Sequence, residues 1–366
     1  MIKSLSLKNF KSFQEVTIPF GSLTLLSGVN GSGKSTILQS LGVLKQSYDA
    51  GCLGLHGGLL LNGDYVELGV GKDVLCEYSD ASEIAIEVAT DDHVHSWHFA
   101  YAEGDDMLQM TSCPPNPFTV PQWLAGGFQF LRADRVAPSV VYPKSYNESV
   151  RKRFLGVRGQ FAPYFLSVHQ DEVVSNGRLR ADGNSTRILD QVNAWLTEIS
   201  PGVSVTPSEI GGADLAQLFF KYGGSAGLDS SNYYRPTNVG FGLSYVLPLI
   251  VACLAARDGD TVLLENPEAH LHPRGQTAMG ELISRAANDG VQIVVESHSD
   301  HLLNGIRLAV KKSLIGTHAV RLHFCLRKAD LEGSELISPT LDSDGRISDW
   351  PDGFFDEWER ALMELV

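Results

Sequence analysis

Residues 28–35 read Gly-Val-Asn-Gly-Ser-Gly-Lys-Ser and fill every fixed position of the pattern GxxxxGK[ST]. The run Ser22–Ser27 before them is apolar enough for a buried strand, and Ile37, Leu38, Leu41 and Leu44 after them recur at helical spacing. Strand, glycine loop, helix is the context a phosphate loop requires. Glycines let consecutive backbone N–H groups turn inward around an anion, and the helix presents its N-terminus to the same anion. On this reading Asn30, Gly31, Ser32, Gly33, Lys34, Ser35 and Thr36 surround the phosphates of a nucleoside triphosphate. Lys34 reaches the β- and γ-phosphates and Ser35 ligates Mg2+. The alternative is a glycine turn that merely joins strand to helix, and the flanking elements argue against it.

Such a site also needs an acid at the tip of a neighbouring buried strand, holding Mg2+ directly or through water. Thr261-Val262-Leu263-Leu264-Glu265 supplies one, with Glu265 at the tip. An acid after an apolar run is common by itself; paired with the loop it gains weight. Guanine recognition would need [NT]KxD, and the nearest stretch, Arg327-Lys328-Ala329-Asp330, has the wrong first residue. ATP is therefore the expected nucleotide.

Composition bounds the rest. A length of 366 residues fits two or three folding units. Lys and Arg number 29 against 43 Asp and Glu, and the net charge of −14 argues against coating nucleic acid by bulk charge. The five cysteines are scattered without a CxxC pair, so neither a zinc ribbon nor a disulfide framework is expected. Phe241–Ala256, the most apolar run, contains Ser244 and Pro248 and falls short of the ~20 residues a bilayer needs. Lys3, Lys8, Lys11 and Glu15 break up any signal-peptide core. A soluble, cytoplasmic protein without a membrane partner is expected.

Along the chain, Ile2–Leu7, Val16–Phe20 and Ser22–Ser27 read as strands, and period-two alternation in Glu83–Thr90 and Val94–Ala102 predicts an antiparallel meander. A helix is expected at Ser185–Ile199 behind a Ser/Thr cap, and a Gly/Ser-rich loop at Gly223–Tyr234. Helices near Leu243–Arg257, Arg274–Asn288 and Asp300–Lys312 alternate with strands Thr261–Leu264 and Val291–Glu296. Strand-like pieces follow at Val320–Leu326 and Leu336–Leu341, then a helix from about Gly353. There is no sustained heptad run. Three parts result: 1–112 with the phosphate loop and the meander, 113–235 as a mixed insertion, and 236–366 with a return to α/β rhythm.

The stretches NFKSF…GVNGSGKST, VGFGLSYVLP (239–248), LLENPEAHLHP (263–273) and ESHSDHLLNGIR (296–307) resemble the ABC-type ATPase heads related to SMC, Rad50 and RecF. More narrowly, the chain resembles compact bacterial AAA-family ATPases with a DUF3696 C-terminal domain, a likeness that extends to LNGDYVELG (61–69), LRADRVAP (131–138) and DGRISDWPDGFFDEW (344–358). The resemblance implies an α/β P-loop NTPase fold: an ABC-type ATPase head whose two end parts form one core, with a β meander and a helical insertion between them. It also implies ATP and Mg2+ as cofactors and a homodimer, or a higher oligomer, that shares its nucleotide sites.

By that resemblance Gly242 and Ser244 belong to a signature loop whose serine touches the γ-phosphate held by the partner's lysine; the bland reading of VGFGLS is a glycine hinge before a buried helix. His298 matches the switch histidine, and His270 and His272 sit where such heads have their D-loop. Asp300 is read as the cap of the helix it opens. The chain departs from the family after Glu265, where Asn266 replaces the usual second acid. An amide cannot act as a base. Either Glu268 takes that role, with Asn266 orienting water, or hydrolysis is slow and the protein is chiefly an ATP-dependent clamp. Related proteins serve as the ATPase or sensor part of bacterial anti-phage defence beside a separate effector such as a nuclease, and such a partner is expected here. The rival reading is a RecF/Rad50-like DNA-repair or DNA-maintenance clamp, with DNA as partner.

Smaller features carry less. Lys11 and Ser12 match a loop bordering the nucleotide, and Gln46 is read either as an Mg2+-linked glutamine or as an exposed helix residue. His93, His95 and His98 are read as a solvated strand face. Arg151, Lys152, Arg153 and Arg158 form the main basic patch, taken as a solvated loop or ion-paired surface before a nucleic-acid contact. Trp350, Phe354, Phe355 and Trp358 are taken as a terminal segment docked on the core.

Overall fold

A computed structural model describes the chain except residues 55–56, 80–81, 115–119, 181–184, 224–231, 328–332, 356–361 and 366. In chain order come β1 (Ile2–Phe10), β2 (Phe13–Pro19), β3 (Leu23–Gly28), α1 (Lys34–Asp49), β4 (Gly58–Leu60), the one-turn α2 (Gly71–Val74), β5 (Glu83–Thr90), β6 (Val94–Ala100), β7 (Met107–Ser112) and the one-turn α3 (Gln122–Ala125). Next are β8 (Phe128–Leu131), β9 (Tyr142–Pro143), α4 (Ala162–His169), α5 (Ile188–Ile199), β10 (Val203–Glu209), β11 (Leu215–Tyr222) and α6 (Phe241–Ala255). Then follow β12 (Thr261–Glu265), α7 (Pro273–Asn288), β13 (Gln292–Glu296), α8 (Asp300–Lys311), β14 (Val320–Leu326) and β15 (Glu335–Ile337).

Two compact units divide these elements. The first comprises residues 1–126, 318–342 and 347–366, and the second 127–317 and 343–346. The chain thus crosses between the units at 126/127, 317/318, 342/343 and 346/347. In the first unit an antiparallel sheet runs β2-β1-β5-β6-β7-β4, so the meander shares its sheet with the N-terminal hairpin. Ile2, Leu5, Leu7 and Phe10 point inward from β1, the alternation expected of a sheet with one covered face. β3 is buried along almost its whole length and pairs in parallel with β14, which β15 flanks antiparallel. Phe354 packs edge-on against Phe324 of β14, with Trp350 and Phe355 around it, so the terminal aromatic segment is docked within this unit. Trp358, most of the helix expected from Gly353 and the bulk of the Gly/Ser-rich loop lie outside the described residues.

In the second unit β12 lies between β8 and β13, parallel to both. The insertion is less helical than its sequence suggested. Beside α4 and α5 it folds β10, β11 and β9 into an antiparallel sheet. α5 starts at Ile188 behind Arg187 with no side-chain cap, and Ser185 instead accepts a bond from the Arg187 N–H. α6 is apolar on all sides and correspondingly buried. Its carbonyl end is held by Arg178, whose guanidinium donates to Cys253 (3.1 Å), Leu254 and Ala256 and pairs through Nε with Asp289 at 2.6 Å. That replaces the missing intrahelical donors of the last turn. α7 and α8 pack through Gly280 and Gly305, where a Cβ on either would meet the other's backbone at about 3.0 Å.

Three residues of the basic patch are ion-paired. Arg153 grips both carboxylate oxygens of Glu172 at 2.9 Å, Lys152 meets Glu148 at 3.1 Å and Arg158 meets Asp134 at 3.6 Å. Among the described residues no helix is long and apolar enough to cross a membrane, and no group of three or more His, Cys, Asp or Glu is placed to hold a metal ion.

Candidate functional site

In the first unit β3 runs directly into the glycine loop, and α1 begins at Lys34. Gly28, Gly31 and Gly33 have φ of +138°, +75° and +96°, values that turn the backbone N–H groups toward one side at little cost only for glycine. A Cβ at Gly28 would run into the Cys325 carbonyl, and one at Gly33 would press on Phe13, whereas Gly31 has open space beside it. Lys34 is buried, and its ammonium donates to the carbonyls of Gly28 (3.0 Å) and Val29 (2.9 Å). The loop is thereby closed on its own lysine. Ser32 Oγ is buried without a partner. Lys11 and Ser12 contact the start of α1: Lys11 donates to Gln39 at 2.8 Å, and Ser12 Oγ lies 3.3 Å from Thr36 Oγ1. Gln46 is neither exposed nor available to a metal. Its amide nitrogen donates to Leu60 O (2.7 Å) and its oxygen accepts from Tyr65 (3.3 Å) and Val66 (3.0 Å), bracing the 60–66 segment.

In the second unit β12 ends at Glu265. Its Oε2 accepts from the Ala133 N–H at 2.9 Å, and burial pushes its pKa up, opposed by that bond and by Arg132. Asn266 follows with φ +43°, its N–H donating to Glu296 O on the neighbouring strand (2.9 Å). Glu268 Oε1 accepts from the His298 N–H at 2.8 Å, and Glu268 Oε2 is buried without a partner. Glu265, Asn266, Glu268 and His298 therefore gather at the ends of two paired parallel strands. The helix after His298 is capped by Ser299, which accepts from the Leu302 N–H (3.0 Å). Asp300 takes the first helical position and is not the cap.

α6 begins at Phe241, so Gly242 and Ser244 lie in the helix's first turn, at the helix start where the signature-loop reading puts them, and Ser244 is 5% exposed. The exposed side chain at this helix start is Phe241, 42% accessible and packed on the His270 ring at 4.7 Å. Gly242 is a glycine because a Cβ there would strike the His270 carbonyl. His270 itself sits at φ +63°, and His272 caps α7 by accepting from the Arg274 N–H.

Sequence reasoning missed Arg135. The residue is 3% exposed and donates to the carbonyls of Arg132 (3.0 Å), Glu265 (2.7 Å) and Asn266 (2.7 Å). Its guanidinium lies 4.5 Å from the Tyr245 ring, and Tyr245 donates to Ala133 O at 2.5 Å. Desolvation pushes its pKa down to about 10, which leaves it charged at neutral pH. One cation thus ties α6 and the loop after β8 to the tip of the acid-bearing strand. The only signal available was an arginine within LRADRVAP, two of whose three partners are backbone atoms 130 and 131 residues away. His95 departs from its reading as well: it is buried, while His98 pairs with Glu83 at 2.8 Å.

Family profiles match three successive parts of the chain: an AAA ATPase domain over residues 1–94, an AAA domain described as a putative AbiEii toxin of a Type IV TA system over 148–304, and a protein of unknown function, DUF3696, over 315–365. The fold is similar to that of a crystallised Smc head bound to the C-winged helix domain of ScpA, with 14% identity, a TM-score of 0.55, and 93% of this chain and 98% of that chain covered. An Smc head with an extended coiled coil, bound to the C-terminal domain of ScpA from Pyrococcus furiosus, gives 13% identity and a TM-score of 0.52 over 100% of this chain and 99% of that one. A 41-residue segment is 44% identical to the OLD nuclease of Thermus scotoductus, covering 11% of this chain and 8% of that protein. The glycine loop and the head-like α/β fold define a P-loop ATPase class. The profile matches narrow it: the chain is an AAA/ABC-type ATPase that carries a DUF3696 segment.

Proposed function

We propose that the protein binds Mg·ATP at Asn30–Thr36, hydrolyses it slowly, and couples the cycle to closing and reopening of a homodimer. The observation that carries this reading is the glycine loop between β3 and α1. Its lysine is held inside it, and it has a buried serine hydroxyl without a partner. These residues fit a triphosphate: the three positive-φ glycines leave backbone N–H groups for the oxygens, and Lys34 exchanges two carbonyl partners for phosphate. Ser35, at the start of α1, would hold Mg2+, which when bound supplies charge neutralisation on the phosphate oxygens. The carboxylate of Glu268, with one oxygen fixed by the His298 N–H and the other unpaired, suits it to orient or deprotonate a water, and Asn266 offers a neutral amide beside it.

In this reading the dimer forms through the start of α6, where Gly240 and Phe241 are exposed beside Gly242 and Ser244. The closed and open dimers are the output, read by a separate effector. A defence role beside a nuclease or other effector is supported by the AbiEii-like profile and the short OLD-nuclease match. Phosphate release from Glu268→Gln and Asn266→Asp tests the chemistry. The glutamine variant should bind ATP yet turn over at least about tenfold more slowly, and the aspartate variant should be faster than wild type. Unchanged turnover in Glu268→Gln would remove that residue from the reaction. ATP binding without any turnover in the wild type would make the protein a clamp.

A further inference from the structure

His95, Trp97 and Phe99 alternate along β6 and point to its buried face. His95 is 4% exposed and stacks on Trp97, with ring centroids 5.9 Å apart and planes 18° apart, while His93 meets it edge-on at 6.0 Å. Among the described residues neither nitrogen of the His95 ring has a hydrogen-bond partner. The ring stands on a cavity wall, where its nitrogens are open to a polar atom from outside the chain. A cavity of about 180 Å³ lies there, lined by His95, Trp97, Tyr48, Leu53, Pro121 and Leu124 among others, and among the described lining residues none carries a carboxylate, ammonium or guanidinium.

The wall chemistry selects the ligand. Trp97 and Tyr48 provide flat aromatic surface, Leu53, Pro121 and Leu124 provide apolar contact, and His95 provides hydrogen bonds. Burial, with His93 second, pushes the His95 pKa down, so the ring is neutral and offers one N–H donor and one acceptor nitrogen. The volume slightly exceeds the roughly 150 Å³ known to hold benzene, which admits one ring with small substituents. A phosphate would find no cation among the described lining residues. We propose that this cavity binds an uncharged single-ring heteroaromatic molecule, with the size and hydrogen-bonding pattern of a pyrimidine base, that exchanges hydrogen bonds with the His95 imidazole. The site is separate from the nucleotide reading above, since no residue of the 28–36 loop lines it.

The test is titration of the full chain with uracil and cytosine, and with toluene as an apolar molecule of similar size. Calorimetry and tryptophan fluorescence report binding, and the ring ¹⁵N resonances of histidine report hydrogen bonding in the unmutated protein. Leu124→Trp fills the cavity and His95→Phe keeps a ring while removing both nitrogens. The expected results are saturable binding of a pyrimidine base, a moved His95 ring resonance, loss of binding in Leu124→Trp, and about tenfold or greater weakening in His95→Phe with toluene unaffected. No saturable base binding to wild type up to roughly 10 mM would overturn the proposal, as would base binding that survives Leu124→Trp. Toluene binding as tightly as the bases, with the His95 resonance unmoved, would reduce the cavity to an apolar packing void and overturn the heteroaromatic assignment.

Discussion

Replacing Arg135 should damage both stability and turnover, by amounts that its contacts set. The guanidinium supplies three backbone carbonyls, two of them at Glu265 and Asn266. A hydrogen bond from a charged donor contributes about 1.5–3 kcal/mol, and each buried carbonyl left unpaired costs about 1–3 kcal/mol. These effects overlap because one group serves all three acceptors, so Arg135→Met should cost about 3–5 kcal/mol. At 2–4 °C per kcal/mol for units of this size, the melting temperature should fall by roughly 10 °C. Arg135→Lys keeps the charge and can reach one or two of the carbonyls but not all three, so about 1–2 kcal/mol is expected. Turnover separates support from positioning. If Arg135 holds Asn266 at its positive φ and aims the acids, phosphate release per folded molecule in Arg135→Lys should drop about tenfold, which is 1.4 kcal/mol of barrier. Melting of Arg135→Met within about 2 °C of wild type would refute the packing argument. Full turnover in a destabilised Arg135→Lys would refute the positioning argument.

Gly28→Ala should cost about 2–4 kcal/mol, because both its φ of +138° and the Cys325 carbonyl oppose a Cβ. Gly31→Ala, with open space and φ +75°, should cost only about 1 kcal/mol; equal urea midpoints for the two would contradict this. His323 gives an acid-side stability slope. Its Nε2–H donates to Pro19 O (2.7 Å), its Nδ1 accepts from Ser338 (2.8 Å), and burial pushes its pKa down to about 4. Since the folded value lies below the unfolded value of about 6.5, the stabilisation is whole above pH ~6.5 and is lost as pH falls toward 4, roughly 3 kcal/mol in all. Urea unfolding across that window should be steeper for wild type than for His323→Gln, and parallel slopes would dismiss the assignment.

The phosphate loop was legible because its chemistry is local: eight consecutive residues determine the turn, the lysine and the helix start. The meander was legible because β5 and β6 keep strict period-two alternation. β12 and β13 could be read as short apolar runs, and their tips correctly located Glu265 and the segment of His298. What failed depended on the third dimension. Nothing in VGFGLS indicates that Gly240 caps α6 without a side chain. Gln46 read either as Mg2+-linked or as exposed because its three partners lie 14 to 20 residues away in a segment without strong periodicity. β10 carries Pro207 within it, which masked the hairpin that it forms with β11. Arg135 had no sequence partner at all, because it acts on carbonyl groups that every residue possesses.

The central claim, that ATP held by the loop at Lys34 closes a dimer, is tested most directly by molar mass from light scattering with and without Mg·ATP, on wild type and on Lys34→Ala. The account predicts a doubling of mass with nucleotide in the wild type, and a Lys34→Ala protein that keeps its fold but neither binds ATP nor changes mass. A mass indifferent to ATP, or one that still doubles in Lys34→Ala, would contradict it.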